Sequence, residues 1–230
     1  MNNFNSNIYI AEKRINELEV IQKKIPRMKI QKEHKYMKEK EICRWCKGDT
    51  MMEKYHNEEW GVACHDDQQL YECLMLEAMS CGLSWKIVLT KREIFRACFV
   101  NFDYLKVAQF TNSDVERIMQ YPGVIKSKRK IEAMISNAQA FIKIRNEFET
   151  FDNYIWSFTK GKTIIYNKRP NGMMQTQSEL SDIIAKDLKK RGFKFLGSVL
   201  VYSFIQAIGM VNDHDTTCYM FNEIGGDVIE

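Results

Sequence analysis

Four side chains combine two soft sulfur donors with two imidazoles: Cys43, His56, His214 and Cys218. Twelve residues separate the first two, and His214 and Cys218 are four apart, which on a helix would place them on one face. Two Cys and two His complete a tetrahedral zinc shell and leave no open position for water. Such a site is structural, and here it would join the beginning of a domain to its end. Cys46, Cys64 and His65 are competitors nearby, and Cys43-x-x-Cys46 alone would suit a redox pair. Scattered thiols and surface imidazoles are the bland alternative.

A second candidate is Glu77, which sits in the run "LMLEAMSCGLSW" among almost wholly apolar neighbours. A buried, unpaired carboxylate costs several kcal/mol if it stays charged. Trp45, Tyr55, Trp60 and Trp85 lie close to it in sequence. Any one of these rings is best read as core packing. Together, flat rings and an anionic acceptor suit a flat, cationic or electron-poor heterocycle. A third candidate is "QYPGVIKSKRKIEAMI", where one helix runs into Pro122-Gly123 and another begins. A hairpin of this kind presents backbone N–H groups and a helix N-terminus to a phosphate. Lys126, Lys128, Arg129 and Lys130 surround it, although a solvated basic helix start is the commoner fate of such a run. "KKRGFKF" is a weaker phosphate candidate.

Helices must position these groups. "DDQQLYECLMLEAMSCG" opens on Asp66 or Asp67 as N-cap and closes at Gly82, with Leu70, Cys73, Leu74, Glu77 and Cys81 on one stripe. The pattern predicts a second helix from Ser84 as cap through about Phe99, and a third opened by a capping box in "SDVE" at 113–116. A fourth runs from about Ser127 to Phe148, a fifth lies around "NYIWSF" and a sixth covers 178–192. A seventh, "LGSVLVYSFIQAIG", reads as buried all round. Residues 166–177 read as a loop. No run of alternating strands is visible, so the expected class is all-α. Three domain segments follow: a basic polar leader at 1–42, whose apolar residues have rough helical spacing, a main domain at 43–222 and a tail at 223–230.

The net charge of +4 is already present in residues 1–42, which hold ten Lys/Arg and six Asp/Glu, and the remainder balances to zero. The overall charge therefore says nothing about nucleic-acid binding by the main domain. For the leader, a solvated basic segment and a DNA-tethering arm are both open. Seven Cys form no regular disulfide framework, and no run approaches the ~20 apolar residues of a membrane span. A basic n-region leading into an apolar stretch is missing, so the expectation is a cytoplasmic protein. No Gly-rich nucleotide loop, nucleophile elbow or carboxylate cluster for catalytic metals occurs.

In order along the chain, "CRW", "YHNEEWGV", "LEAMSCGLSW", "KKRGFKF", "YSF.QA.G.VNDH" and Cys218 strongly resemble the bacterial DNA-3-methyladenine glycosylase I family, of the helix-hairpin-helix superfamily. The resemblance runs from about Cys43 to about Tyr219. It implies the helix-hairpin-helix glycosylase fold and one structural Zn2+ on Cys43, His56, His214 and Cys218. It also implies that Glu77 reads the damaged base and Trp85 stacks on it, with Tyr55 completing the catalytic set. Trp45, Met52 and Trp60 fall at substrate-binding positions, Met52 standing where better-known members have Tyr. Gly123, Lys126, Ser127, Lys128 and Arg129 fall on the DNA-binding hairpin. The implied activity is hydrolysis of the N-glycosidic bond of 3-methyladenine in alkylated double-stranded DNA, by base flipping, in a monomer without an obligate protein partner or membrane attachment. Bifunctional relatives carry a Schiff-base Lys where this chain has Ser127, and Ile125 replaces the hairpin's second Gly, so no lyase step is expected. The rival readings are excision of another alkylated purine, a zinc-stabilised DNA-binding module without catalysis, and a redox protein using Cys43 and Cys46.

Overall fold

Side-chain caps set the helix starts. Asp49 accepts hydrogen bonds from the N–H groups of Met51 and Met52, at 3.1 Å each, and opens α1 (Thr50–Glu58). Asp66 accepts from the Gln69 N–H at 2.9 Å and opens α2 (Asp67–Ser80). The computed structural model describes residues 40–166 and 175–229. The expected helical and basic stretches of the leader, and most of the expected loop at 166–177, lie outside those residues. Residues 1–40 and 41–230 separate into two units, and the second is described below.

The remaining elements are α3 (Trp85–Thr90), α4 (Arg92–Cys98), α5 (Tyr104–Val107), α6 (Asn112–Gln120), α7 (Lys128–Phe148), α8 (Phe151–Ser157), β1 (Ile164–Tyr166), α9 (Glu179–Lys190), α10 (Ser198–Ala207), α11 (Tyr219–Ile224) and β2 (Asp227–Ile229). The fold is mostly helical. Leu70, Leu74, Met75, Ala78 and Met79 make α2 the centre of the core. It packs against α3, α7, α8 and α10. Asp67 locks α8 to its start, accepting from the N–H groups of Phe151 (3.0 Å) and Asp152 (2.9 Å) while Arg145 pairs with the same carboxylate. No described helix is long and apolar enough to cross a membrane.

Five sequence expectations need correction. The helix expected from Trp85 to Phe99 breaks at Lys91, which leaves helical geometry (φ −101°, ψ 7°) and separates α3 from α4. Ser84 occupies the N-cap of α3 but its side chain makes no capping bond. The capping box is built by Thr111 and Asp114, so α6 starts at Asn112, and Glu116 pairs with Lys128 instead. Helix α10 is not buried all round, since Val199 is 49% exposed. Finally, β1 and β2 form a parallel two-stranded ribbon in the register Ile164↔Asp227, Ile165↔Val228 and Tyr166↔Ile229. Strands of three residues carry too little alternation to be read from sequence.

The ribbon has a positioning role. The Ile164 N–H donates to Met210 O and the Asn212 N–H donates to Ile164 O, both at 2.9 Å, which fixes the segment leading to His214. Asn212 then donates its amide to Phe221 O (2.9 Å) and Gly225 O (2.8 Å), and its own oxygen accepts from the His214 N–H at 3.3 Å.

Candidate active site and metal centre

Tyr55 and His56 are consecutive on α1 and point to different centres. His56 joins Cys43, His214 and Cys218, all four buried, with every donor atom within 4.8 Å of the others. His56 Nε2 lies 3.1 Å from His214 Nδ1 and 3.4 Å from Cys218 Sγ, and His214 Nδ1 lies 3.5 Å from Cys43 Sγ and 3.7 Å from Cys218 Sγ. A tetrahedron with Zn–S near 2.3 Å and Zn–N near 2.0–2.1 Å has edges of roughly 3.3–3.8 Å, so the three separations involving sulfur fall on such edges and the one between the imidazoles is slightly shorter. The other imidazole nitrogens are anchored, His56 Nδ1 to Asn57 Oδ1 (2.7 Å) and His214 Nε2 to Trp60 O (3.2 Å). Such outer bonds fix ring orientation around a metal. The Asp215 N–H donates to Cys43 Sγ at 3.2 Å. Burial pushes the Cys43 thiol up and the His56 imidazolium down from their ordinary values. The imidazole is therefore ready as a neutral ligand, while the sulfur needs a cation to be held as thiolate. A Cβ on Gly61 (φ +85°) would stand 2.7 Å from His214 Nε2, so that position excludes any side chain.

The cluster is the one expected, but not for the reason given. His214 and Cys218 do not share a helix. The segment between them is irregular, and Cys218 is the N-cap of α11, with extended backbone (φ −70°, ψ 135°). The ribbon and Asn212 bring the two ligands together.

Tyr55 faces a cavity of about 520 Å³ that is also lined by Trp45, Met52, Trp60, Glu77 and Trp85. All six base-pocket residues expected from sequence therefore line one space. Trp45 meets Trp60 edge-on at 5.0 Å and His56 at 5.5 Å, so it bridges the cavity wall and the Cys/His cluster. The Tyr55 and Trp85 rings lie 5.4 Å apart at 45°. The indole N–H groups of Trp45 and Trp85 are buried and have no hydrogen-bond partner.

Glu77 is 4% exposed. Its carboxylate accepts from Ser80 Oγ at 3.3 Å, and that hydroxyl also donates to Glu77 O at 2.8 Å. No Lys or Arg among the described residues pairs with it. Burial pushes its carboxyl up to about 8, and the Ser80 hydroxyl opposes this only in part.

The hairpin connects α6 to α7 through residues 121–127. Gly123 turns with φ +78°, and a Cβ there would stand 2.8 Å from Ile94 Cδ1. Lys126, Lys128 and Arg129 are exposed and Ser127 is half-buried at the N-cap of α7. Arg129 lies over the Phe195 ring at 5.9 Å. Lys130, grouped with these cations in the sequence reading, is not available to a phosphate. It is buried, and its ammonium donates to Met79 O (2.9 Å) and Cys81 O (2.6 Å) at the end of α2.

Several residues of the site carry no local sequence signal. Ser80, Leu200, Ser203 and Gln206 also line the cavity, and Asn212 anchors the loop that carries His214. Ser80 falls three residues after Glu77, and that spacing is the one clue that could have marked it.

Comparison with known proteins follows the same residues. The methyladenine glycosylase family model matches residues 45–222. The chain is 43% identical over 178 residues to DNA-3-methyladenine glycosylase 1 of Escherichia coli (strain K12), a match covering 77% of this chain and 95% of that protein. A crystal structure of 3-methyladenine DNA glycosylase I is 44% identical and superimposes with a TM-score of 0.74, covering 78% of this chain and 98% of that one. A single-residue variant of 3-methyladenine DNA glycosylase I, solved in complex with 3-methyladenine, is 33% identical with a TM-score of 0.73, covering 77% and 96% of the two chains. On the length and strength of these matches, the chain belongs to the methyladenine glycosylase family.

Proposed function

We propose that the protein is a base-excision repair enzyme that hydrolyses the N-glycosidic bond of 3-methyladenine in alkylated duplex DNA. The observation that carries this reading is Glu77, a carboxylate without a cationic partner among the described residues, in the wall of an aromatic cavity. A base alkylated at N3 is positively charged while attached to its sugar. It supplies the missing countercharge and leaves readily as a neutral molecule.

The hairpin holds the backbone through Gly123, Lys126, Ser127, Lys128 and Arg129. The lesion nucleotide, poorly held in the stack, rotates out into the cavity. Tyr55 and Trp85 pack on its faces, with Trp45, Met52 and Trp60 completing the walls. Ionised Glu77 attracts the positive charge and accepts hydrogen bonds from the base edge. The bond from C1′ to the base nitrogen breaks with its electron pair going to the base. A water oxygen then bonds to C1′ and its proton leaves to solvent, giving an abasic site. Ser127 at the Schiff-base position supports a monofunctional enzyme without strand cleavage.

Cys43, His56, His214 and Cys218 would hold one Zn2+ in a closed shell. When bound, that ion neutralises the two thiolates and supplies structural strength rather than chemistry at the sugar. Trp45 and Tyr55 transmit this rigidity to the pocket, since each lies within two residues of a ligand.

The test is release of 3-methyladenine from methylated duplex DNA by wild type and Glu77→Gln. Loss of a charge-assisted contact predicts a drop in kcat/KM of roughly ten- to hundredfold with the fold retained. Equal rates would show that Glu77 does not read the base. Preferential release of 7-methylguanine would favour a different lesion, in a pocket reshaped by Met52.

A further inference from the structure

Gln206 lies on α10 and faces the same cavity as Glu77, yet its side chain is held by a group outside that cavity. Its Nε2 donates to Asp213 Oδ2 at 2.7 Å, and both residues are 6% exposed. Asp213 also lies 3.5 Å from the Tyr202 hydroxyl. A carboxylate only accepts, so it settles which end of the amide turns toward it. The nitrogen faces Asp213 and the carbonyl oxygen is the end left over. That oxygen makes no hydrogen bond among the described residues. It is not occluded either, because among the described residues the buried polar side-chain atoms without partners are only the indole nitrogens of Trp45 and Trp85. An unpartnered, accessible oxygen on a nearly buried residue that lines a cavity opens on that cavity.

The consequence is chemical. A free Gln reads adenine with both ends, donating to a ring nitrogen and accepting from the exocyclic amino group. Here the donor end is committed to Asp213. The cavity is left with two acceptors when Glu77 is ionised, its carboxylate and the Gln206 carbonyl, and only the carbonyl is fixed in that role at every pH. An edge rich in donors fits this pair, and an edge bearing a carbonyl meets oxygen with oxygen. The geometry points to Gln206 as a second base-binding residue that favours an alkylated aminopurine over its oxopurine counterpart, with Asp213 as the positioning residue that turns its amide. This rests on the base-excision reading above and adds how the pocket distinguishes purines.

The test uses the full chain and two free bases, 3-methyladenine and 3-methylhypoxanthine, which carries a carbonyl in place of the amino group. Each is titrated against tryptophan fluorescence in wild type, Gln206→Met and Asp213→Asn. Loss of one neutral hydrogen bond predicts that Gln206→Met binds 3-methyladenine roughly three- to tenfold more weakly. Its affinity for the oxo base stays level or improves, so the ratio between the two falls by the same factor. Asp213→Asn offers either an oxygen or a nitrogen to the amide, lets Gln206 turn over, and lowers the ratio by a smaller factor. A general loosening of the fold would weaken both bases together and leave the ratio alone. An unchanged ratio in both variants, with wild type still discriminating, overturns this inference and leaves the excision reading standing. Wild type that binds neither base overturns both. If Gln206→Met does not fold, Asp213→Asn decides alone.

Discussion

At the scale of the residue, Glu77 links pH to stability and to catalysis. Its folded-state value of about 8 lies above the ordinary 4.5 of the unfolded chain. Between those values the native state keeps a proton that the unfolded chain has released. The group's contribution to stability is therefore whole below pH 4.5 and is lost as pH rises through 8. Glu77→Gln removes the titration. The variant should gain stability relative to wild type between pH 5 and pH 8.5, by a few kcal/mol and at most about 5 kcal/mol, since each pH unit is worth about 1.4 kcal/mol. Denaturant melts at the two pH values measure this, and a difference that does not change with pH would place the carboxylate in contact with water. Catalysis runs the other way. The ionised form attracts the cationic base, so kcat/KM of wild type should climb with pH and flatten near 8, and the variant should lose the climb.

At the scale of the element, the N-terminal turn of α7 serves two neighbours. Its exposed cations face outward from the hairpin, while Lys130 reaches inward to carry the last carbonyls of α2, the helix that holds Glu77. Lys130→Met should cost about 1–3 kcal/mol in denaturant melts, because two buried carbonyls lose their donor. Removing Lys126 should leave stability alone and lower the salt slope of DNA binding by about one. The contrast between the two lysines shows how far sequence carries here. Both lie in one basic run, and only the packing of α7 on α2 separates an exposed cation, proposed as a phosphate contact, from a helix cap. The Cys/His set and the aromatic residues around Glu77 are legible because such residue types are rare and their roles have a family pattern. The break at Lys91 is not legible, because Val88 and Leu89 before it and Phe95 and Cys98 after it continue an apolar pattern without Gly or Pro. The capping box misleads because Thr111 and Ser113 each have an acid three residues on, and only tertiary structure gives Glu116 to Lys128. The orientation of Gln206 depends on an aspartate seven residues away and has no local signal.

At the scale of the molecule, the Cys/His cluster brings residues 43 and 56 together with residues 214 and 218, across nearly the whole unit. On the proposed reading a bound ion holds the two buried sulfurs as thiolates, so metal and fold should be lost together. One equivalent of zinc per chain should be measured by atomic emission, and a strong chelator should lower the melting temperature markedly and abolish excision. Cys218→Ser should do the same without chelator. A chelated protein that melts as the untreated one does would make the cluster a set of buried thiols with no bound ion.

Tyr55, in the cavity wall, and His56, in the cluster, occupy adjacent positions on one helical turn. During synthesis on the ribosome, the first half of the cluster emerges long before Cys218 does. Until that last sulfur arrives, a four-ligand shell cannot close, and the turn that carries Tyr55 has the Asp49 cap and its packing on Trp85 without that clamp. On the proposed reading, the capacity to recognise damage is therefore acquired only once Cys218 has been made.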